Sequence, residues 1–260
     1  MVHFVGAGPG APDLITVRGR DLLSEADVVI YAGSLVDPEH LSVCKEGCRI
    51  CNSAEMTLEE VISVMEEAEA EGKTTVRLHT GDPCLYGAIR EQMDLLDSRG
   101  ISYDYVPGVS SFCGAAAAMK TEYTLPGISQ SVIITRMEGR TPMPPKEKIE
   151  LFAQYGTTMV IFLSAGMLGA LSAKLMEGGY DKDTPAAIVY KATWPDEKVL
   201  RCTVGTLEET AAAEGIRKTA LILVGEAIAQ GGYERSKLYD PAFTTEYRRG
   251  VQTERSRNGK

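Results

Sequence analysis

Three glycine turns carry the residue types best suited to holding a small ligand. The first, Gly6-Ala7-Gly8-Pro9-Gly10-Ala11, follows a β-rich run and precedes a helical pattern, the setting in which backbone amides approach a phosphate or a nucleoside. The second, Leu78-His79-Thr80-Gly81-Asp82-Pro83 with Tyr86-Gly87, adds a carboxylate and hydroxyls. The third is Val106-Pro107-Gly108-Val109-Ser110-Ser111. Pro9 and Pro12 remove amides that a pyrophosphate would need. The second β-rich run ends in Tyr31-Ala32-Gly33, where a dinucleotide site expects a ribose-binding acid. The chemistry is therefore ligand binding by loops, with a nicotinamide dinucleotide disfavoured.

Cys44, Cys48 and Cys51 have the three-cysteine spacing of cluster-bearing radical enzymes. Cys48 to Ser53 nevertheless reads as an extended segment of an α/β domain with no fourth ligand, so buried or incidental thiols are the expectation and no metal site is assigned. Cys84, Cys113 and Cys202 are scattered, and His3, His40 and His79 have no metal spacing. Two further loops concentrate charge with or near an aromatic side chain: Arg136-Met137-Glu138-Gly139-Arg140, and Tyr190 to Lys198, which contains Lys191 and Trp194. A solvated turn and a ligand-facing loop are both compatible with them.

The elements that must position these motifs alternate between strand and helix periods, the pattern of an α/β fold. Strands are predicted at 2–6, 28–31, 74–78 and 103–106, with helices at 14–26, 58–71 and 86–99 and an alanine-rich helix at 110–119. Thr57-Leu58-Glu59-Glu60 forms a capping box, and Gly72 and Gly100 are placed to end helices. Loops at the carboxyl ends of parallel strands gather on one edge, so the three glycine turns should converge on one crevice. Further strands are expected at 131–136, 159–163, 186–191, 199–204 and 220–224. The stretch between the third and fourth of these, with Thr193-Trp194-Pro195-Asp196-Glu197 at its centre, is too short for a helical crossover, so that pair should be antiparallel and the second sheet mixed. The expected organisation is two α/β domains, 1–119 with a largely parallel sheet and 120–235 with a mixed one, an interdomain cleft, and a polar tail over 236–260.

The 260 residues carry 27 basic and 36 acidic side chains, a net charge of -9, so nothing global attracts a phosphate backbone and no nucleic-acid partner is expected. Apolar residues make up 44% and charged residues 24%, as in ordinary globular proteins. Six cysteines are too sparse for a disulfide scaffold, and the first residues lack the basic and apolar regions of a signal peptide. No apolar run approaches the ~20 residues of a membrane span. A cytoplasmic protein without a membrane partner is the expectation.

Taken together, Val5 to Gly10, Gly81-Asp82-Pro83 with Tyr86-Gly87, and Pro107 to Ser111 resemble the signatures of the tetrapyrrole methylases over residues 2 to about 229. Longer blocks, among them Ile30 to Leu35, Arg136 to Pro142 and Tyr190 to Glu197, resemble members acting on a corrin precursor of cobalamin (vitamin B12) biosynthesis. The resemblance implies two α/β domains, a homodimer, and methyl transfer from S-adenosyl-L-methionine to ring carbon C11 of a small-molecule tetrapyrrole, with no protein-bound metal. It carries the donor contacts to Pro9, Thr80, Gly81, Asp82, Leu85, Ser110, Ser111, Leu163 and Ala192. Leu163 stands where related enzymes often have methionine. Arg136, Arg140 and Lys191 are the candidates for holding precursor carboxylates, and no general base is singled out. The rivals are a methylase of the same fold acting on uroporphyrinogen, RNA or a protein, a nucleotide-binding oxidoreductase, and a binding module without catalysis.

Overall fold

The computed structural model describes residues 1–229 and 231–251. The first half builds a five-stranded sheet from β1 (Val2–Gly6), β2 (Val28–Tyr31), β3 (Arg49–Asn52), β4 (Thr75–His79) and β5 (Tyr103–Val106). Its order is β3-β2-β4-β1-β5 and every pair is parallel. Helices α1 (Val17–Glu25), α2 (Leu58–Ala70) and α3 (Arg90–Ser98) connect the strands, and α4 (Ser111–Met119) follows the last. With both faces covered, β1 and β4 are buried end to end. On one face Val5, Val29, Val76 and Leu78 pack against Leu23 of α1. On the other Phe4 and Ile30 meet Ile62 and Met65 of α2 and Leu96 of α3.

This order places the site. The connection from β1 passes over β4 to reach β2, whereas that from β4 passes over β1 to reach β5. The two excursions use opposite faces, because right-handed crossovers leaving in opposite directions must. A crevice therefore opens beyond the carboxyl ends of β1 and β4, where the first two glycine turns lie.

The second sheet contains β6 (Val132–Arg136), β7 (Thr158–Phe162), β8 (Pro185–Tyr190), β9 (Lys198–Thr203) and β10 (Ala220–Val224) in the order β6-β7-β10-β8-β9. Only β6 and β7 run parallel, and β8 and β9 are antiparallel across the short charged loop. Helices α5 (Ile149–Ala153), α6 (Leu168–Glu177) and α7 (Leu207–Ala213) cover one face, where Leu171, Leu175 and Leu207 meet Met159, Ile161, Ile188 and Ile222. The other face is covered by α4, whose Ala115 and Met119 pack with Val160, Ala187, Val189 and Leu223. Among the described residues beyond 230 the one regular element is a short 3-10 turn, Lys237–Tyr239, and the part of the expected tail over 252–260 lies outside the described residues.

Two helices begin later than their apolar spacing predicts. Thr16 caps α1 by accepting the Gly19 amide at 3.1 Å, so the helix starts at Val17, while Pro12–Leu14 form a separate 3-10 turn. Leu14 and Val17, whose apolar spacing suggests the helical stretch over 14–26, are 37% and 79% exposed. Helix α3 starts at Arg90 rather than Tyr86, because Tyr86 and Ala88 have left-handed backbones (φ 58° and 50°) that no α-helix accommodates. The capping box at Thr57 forms as read, with Glu60 N donating to Thr57 Oγ1 at 3.3 Å and Thr57 N to the Glu60 carboxylate at 2.7 Å.

Candidate active site

The three glycine turns converge so tightly that they touch through their backbones. Gly8 (φ 87°) and Gly81 (φ 60°) form a two-bond bridge, Gly81 N to Gly8 O at 2.7 Å and Gly8 N to Gly81 O at 3.2 Å. Both need the left-handed region that glycine enters without steric cost. A Cβ on Gly6 would come within 2.6 Å of Gly108 Cα and of Gly81 O, so the close approach of the three turns requires glycine for a second reason. Ser110 and Ser111 open α4 directly beside Gly81, whose absent Cβ would lie 3.3 Å from Ser111 N. Ser110 is buried and does not spend its hydroxyl on capping α4, which leaves that hydroxyl and the first amides of the helix available to a ligand.

Asp82 locks this junction. Its Oδ2 accepts the Gly108 amide at 2.9 Å, and its Oδ1 accepts the Cys84 amide at 2.9 Å and the Tyr105 hydroxyl. Burial pushes its carboxyl upward, but the Tyr105, Cys84 and Gly108 donors outweigh burial and hold it below the usual carboxylate range. The same partnership, added to burial, raises the Tyr105 phenol. Asp82 thus ties the second turn to the third.

The charged loop after β8 straps across the first turn. Trp194 Nε1 donates to Pro9 O at 3.2 Å, and Ala11 N donates to Thr193 Oγ1 at 3.0 Å. A Cβ on Gly10 would fall 2.1 Å from the Trp194 ring and 2.9 Å from Ala192 O, so Gly10 makes room for the strap. Lys191 and Thr193 are both left-handed (φ 45° and 69°) and flank Ala192. Non-glycine residues in this region cost about 1 to 3 kcal/mol and cluster where a loop is shaped for a ligand. Pro9, Gly81, Ser110, Ser111 and Ala192 are thereby brought around one junction, with Thr80 and Asp82 in the same turn.

Beside it, a second group faces the space between the sheets. Tyr86 places its ring 5.4 Å from that of Phe162 at the end of β7, and Arg136 and Glu147 both act on its phenol, which burial raises. Leu163, next to Phe162, is left-handed (φ 54°) and exposed, and Leu85 precedes Tyr86. The three cations read from the sequence differ in freedom. Arg136 donates to the carbonyls of Met137, Thr141 and Pro142 at 3.3, 3.2 and 2.8 Å, so much of its fork shapes its own loop. Lys191 pairs with Asp196 at 2.7 Å and lies 5.1 Å from the Trp194 ring. Arg140 is exposed at the tip of the Arg136 loop and forms no hydrogen bond or ion pair among the described residues.

The cysteine triplet does not converge. Cys44 and Cys48 pack on the α1 face of the first sheet, whereas Cys51 packs on the α2 face. Burial, followed by the neighbouring Cys44, pushes the Cys48 thiol up to about 11. Among the described residues no three His, Cys, Asp or Glu side chains are grouped to hold a metal ion. Two contributors escaped sequence reasoning. Tyr105 is signalled only by alternation along a four-residue strand, and His40, whose Nε2 lies 2.9 Å from Ala7 O, by nothing local at all. Both act across more than twenty residues of chain.

Comparison with known proteins adds to this geometry. A family model described as Tetrapyrrole (Corrin/Porphyrin) Methylases matches residues 1–208. The cobalt-precorrin-4 C(11)-methyltransferase of Methanocaldococcus jannaschii is 53% identical over 248 residues, covering 95% of this chain and 96% of its own. The crystal structure of a cobalamin biosynthetic enzyme, cobalt precorrin-4 methyltransferase, superimposes with a TM-score of 0.86 at 47% identity, over 88% of this chain and 96% of that one. A uroporphyrin-III C-methyl transferase from Thermus thermophilus, solved in complex with S-adenyl homocysteine, gives a TM-score of 0.72 at 27% identity, over 87% and 92%.

Proposed function

The chain belongs to the tetrapyrrole (corrin/porphyrin) methylases, and on that premise we propose that it transfers a methyl group from S-adenosyl-L-methionine to ring carbon C11 of cobalt-precorrin-4 or its metal-free counterpart in cobalamin biosynthesis. The observation that carries the reading is the junction of three glycine turns under the Trp194 strap, in a chain 53% identical to an enzyme of that name. The junction offers what the donor requires. The turn backbones and the hydroxyls of Thr80, Ser110 and Ser111 suit its polar groups, and Leu85, Leu163, Pro9 and Ala192 suit its apolar surface.

When bound, S-adenosyl-L-methionine supplies a methyl group on a sulfonium, already a strong electrophile. The residues of this chain have to hold donor and acceptor in line and keep water out, and good orientation contributes up to about 7 to 11 kcal/mol. The rigidity for that comes from the Gly8–Gly81 bridge, the Asp82 clamp and the strap. A precorrin is a polycarboxylate approaching a protein of net charge -9, so local cations must hold it. Arg140, with its fork free among the described residues, is the leading candidate, supported by Lys191 and by the remaining donors of Arg136.

A homodimer and a cytoplasmic location belong to the same reading and rest on the family likeness and on composition. No described helix is long and apolar enough to cross a membrane. The test is single-turnover incubation with S-adenosyl-L-methionine and cobalt-precorrin-4, followed by mass spectrometry. The expected result is one added methyl group on the tetrapyrrole with S-adenosylhomocysteine formed in equal amount, and binding of S-adenosylhomocysteine but not NAD in calorimetry. Methylation of uroporphyrinogen III in place of cobalt-precorrin-4 would move the chain to a different acceptor.

A further inference from the structure

A charge stands in the core of the first sheet without a counter-charge. Arg77, in the middle of β4, is 6% exposed and pairs with no carboxylate among the described residues. Its Nε donates to Gln92 Oε1 at 3.2 Å, and its Nη1 to Ile30 O at 3.1 Å and Leu78 O at 3.5 Å. Burying a guanidinium this way costs stability that a methionine of similar length would not. The hydrogen bonds show what the charge does in return.

Gln92, on α3 and 5% exposed, uses its oxygen for Arg77 and its Nε2 to donate to Ala88 O at 2.9 Å. Only the NH2 of a glutamine amide can donate to a carbonyl, and the Arg77 donor on its oxygen side excludes the flipped orientation, in which Oε1 would face Ala88 O. The amide is thus aimed at the loop where Tyr86 and Ala88 hold left-handed backbones around Gly87, whose added Cβ would strike Pro83 O at 2.3 Å. Strained residues persist only where their surroundings over-determine them. Tyr86 is the residue whose ring meets that of Phe162, at the end of β7, across the cleft.

We propose that Arg77 and Gln92 are positioning residues: the buried guanidinium orients the Gln92 amide, which pins the Ala88 turn and so presents Tyr86 to the acceptor side of the cleft. The acceptor clause rests on the methyltransferase reading above. The pinning itself does not.

Two variants separate positioning from packing. Gln92→Glu gives Arg77 a carboxylate partner but sets an oxygen against Ala88 O, so the thermal midpoint should stay at or above that of the native protein while the turn loosens. Hydrogen exchange of amides 85–89 should quicken at least about tenfold. The KM for cobalt-precorrin-4 should rise at least about tenfold, with S-adenosylhomocysteine affinity changed severalfold less, because the Gly8–Gly81 bridge and Asp82 hold that side independently. Arg77→Lys keeps the charge but loses the Nε donor, and should quicken the same amides. Unchanged exchange at 85–89 in both variants, or a Gln92→Glu protein that loses stability and activity together, would overturn the proposal. Exchange needs no substrate, so failure of the native protein to methylate a precorrin would remove the acceptor assignment and leave the pinning to be decided by the amides.

Discussion

At Asp82 both carboxylate oxygens are occupied by donors from its own and the neighbouring loop, so a residue that we propose lies at the methyl donor also works as a clamp. Its substitution should therefore act on stability as well as on binding. Asp82→Asn keeps the size but turns an NH2 toward amide and phenol donors, leaving at least one part-buried donor without an acceptor, at a cost of about 1 kcal/mol. Urea denaturation at pH 7 should show that loss, and calorimetry should show weaker S-adenosylhomocysteine binding in the same variant. A stable Asp82→Asn protein would mean that the clamp bears no strain. The Arg136 loop gives a contrast within six residues. Arg140→Ala should weaken precorrin binding by about ten- to a hundredfold without touching stability, since one charge-assisted contact contributes about 1.5 to 3 kcal/mol. Arg136→Ala should impair both, because its guanidinium also ties three carbonyls of the loop together.

The strap after β8 joins two elements that lie far apart in the chain, and Gly10 is the point at which they meet. Gly10→Ala should lift Trp194 from Pro9 O, since the new methyl group would overlap the indole ring. Trp194 is the only tryptophan in the chain, so its fluorescence should shift to the red and S-adenosylhomocysteine affinity should fall. Unchanged emission would show that the strap can move aside freely. At this scale the sequence was most legible where local rules dominate. Apolar runs such as Val28–Tyr31 formed the expected strand, and Thr57 and Glu60 formed their capping box. The convergence of the glycine turns followed from parallel strands alone. What was not legible depended on contacts made at long range. The turn at Tyr86 to Ala88 has helical spacing, yet is held left-handed by its surroundings, and α4 follows the first sheet in the chain but packs on the second. We propose that the two units meet at that helix, close to Lys120, whose left-handed backbone ends it.

For the molecule as a whole, the response to acid discriminates between net charge and one buried side chain. As pH falls from 7 toward the pI near 5.0, the net charge of -9 approaches zero, and self-repulsion in the folded state diminishes. Net charge alone therefore predicts a protein that gains stability on mild acidification. His79 acts in the opposite direction. It is buried at the end of β4 against the Phe4 ring, centroids 6.4 Å apart, and its Nε2 has no hydrogen-bond partner among the described residues. Burial, with the nearby Arg77 charge adding to it, lowers its pKa from 6.5 to about 3. Between those values the unfolded chain binds a proton at this side chain and the folded chain does not, so stability rises with pH there and is lost as pH falls below about 6.5. Each pH unit in the window removes roughly 1.4 kcal/mol. His3, facing Asp104, and His40, between two carbonyl oxygens, have partners that His79 lacks. His79→Phe keeps an aromatic ring beside Phe4 and removes the titrating group. Urea midpoints measured between pH 7 and 5 should fall for the native protein and stay level or rise for His79→Phe. Parallel loss in both proteins would place the acid sensitivity elsewhere.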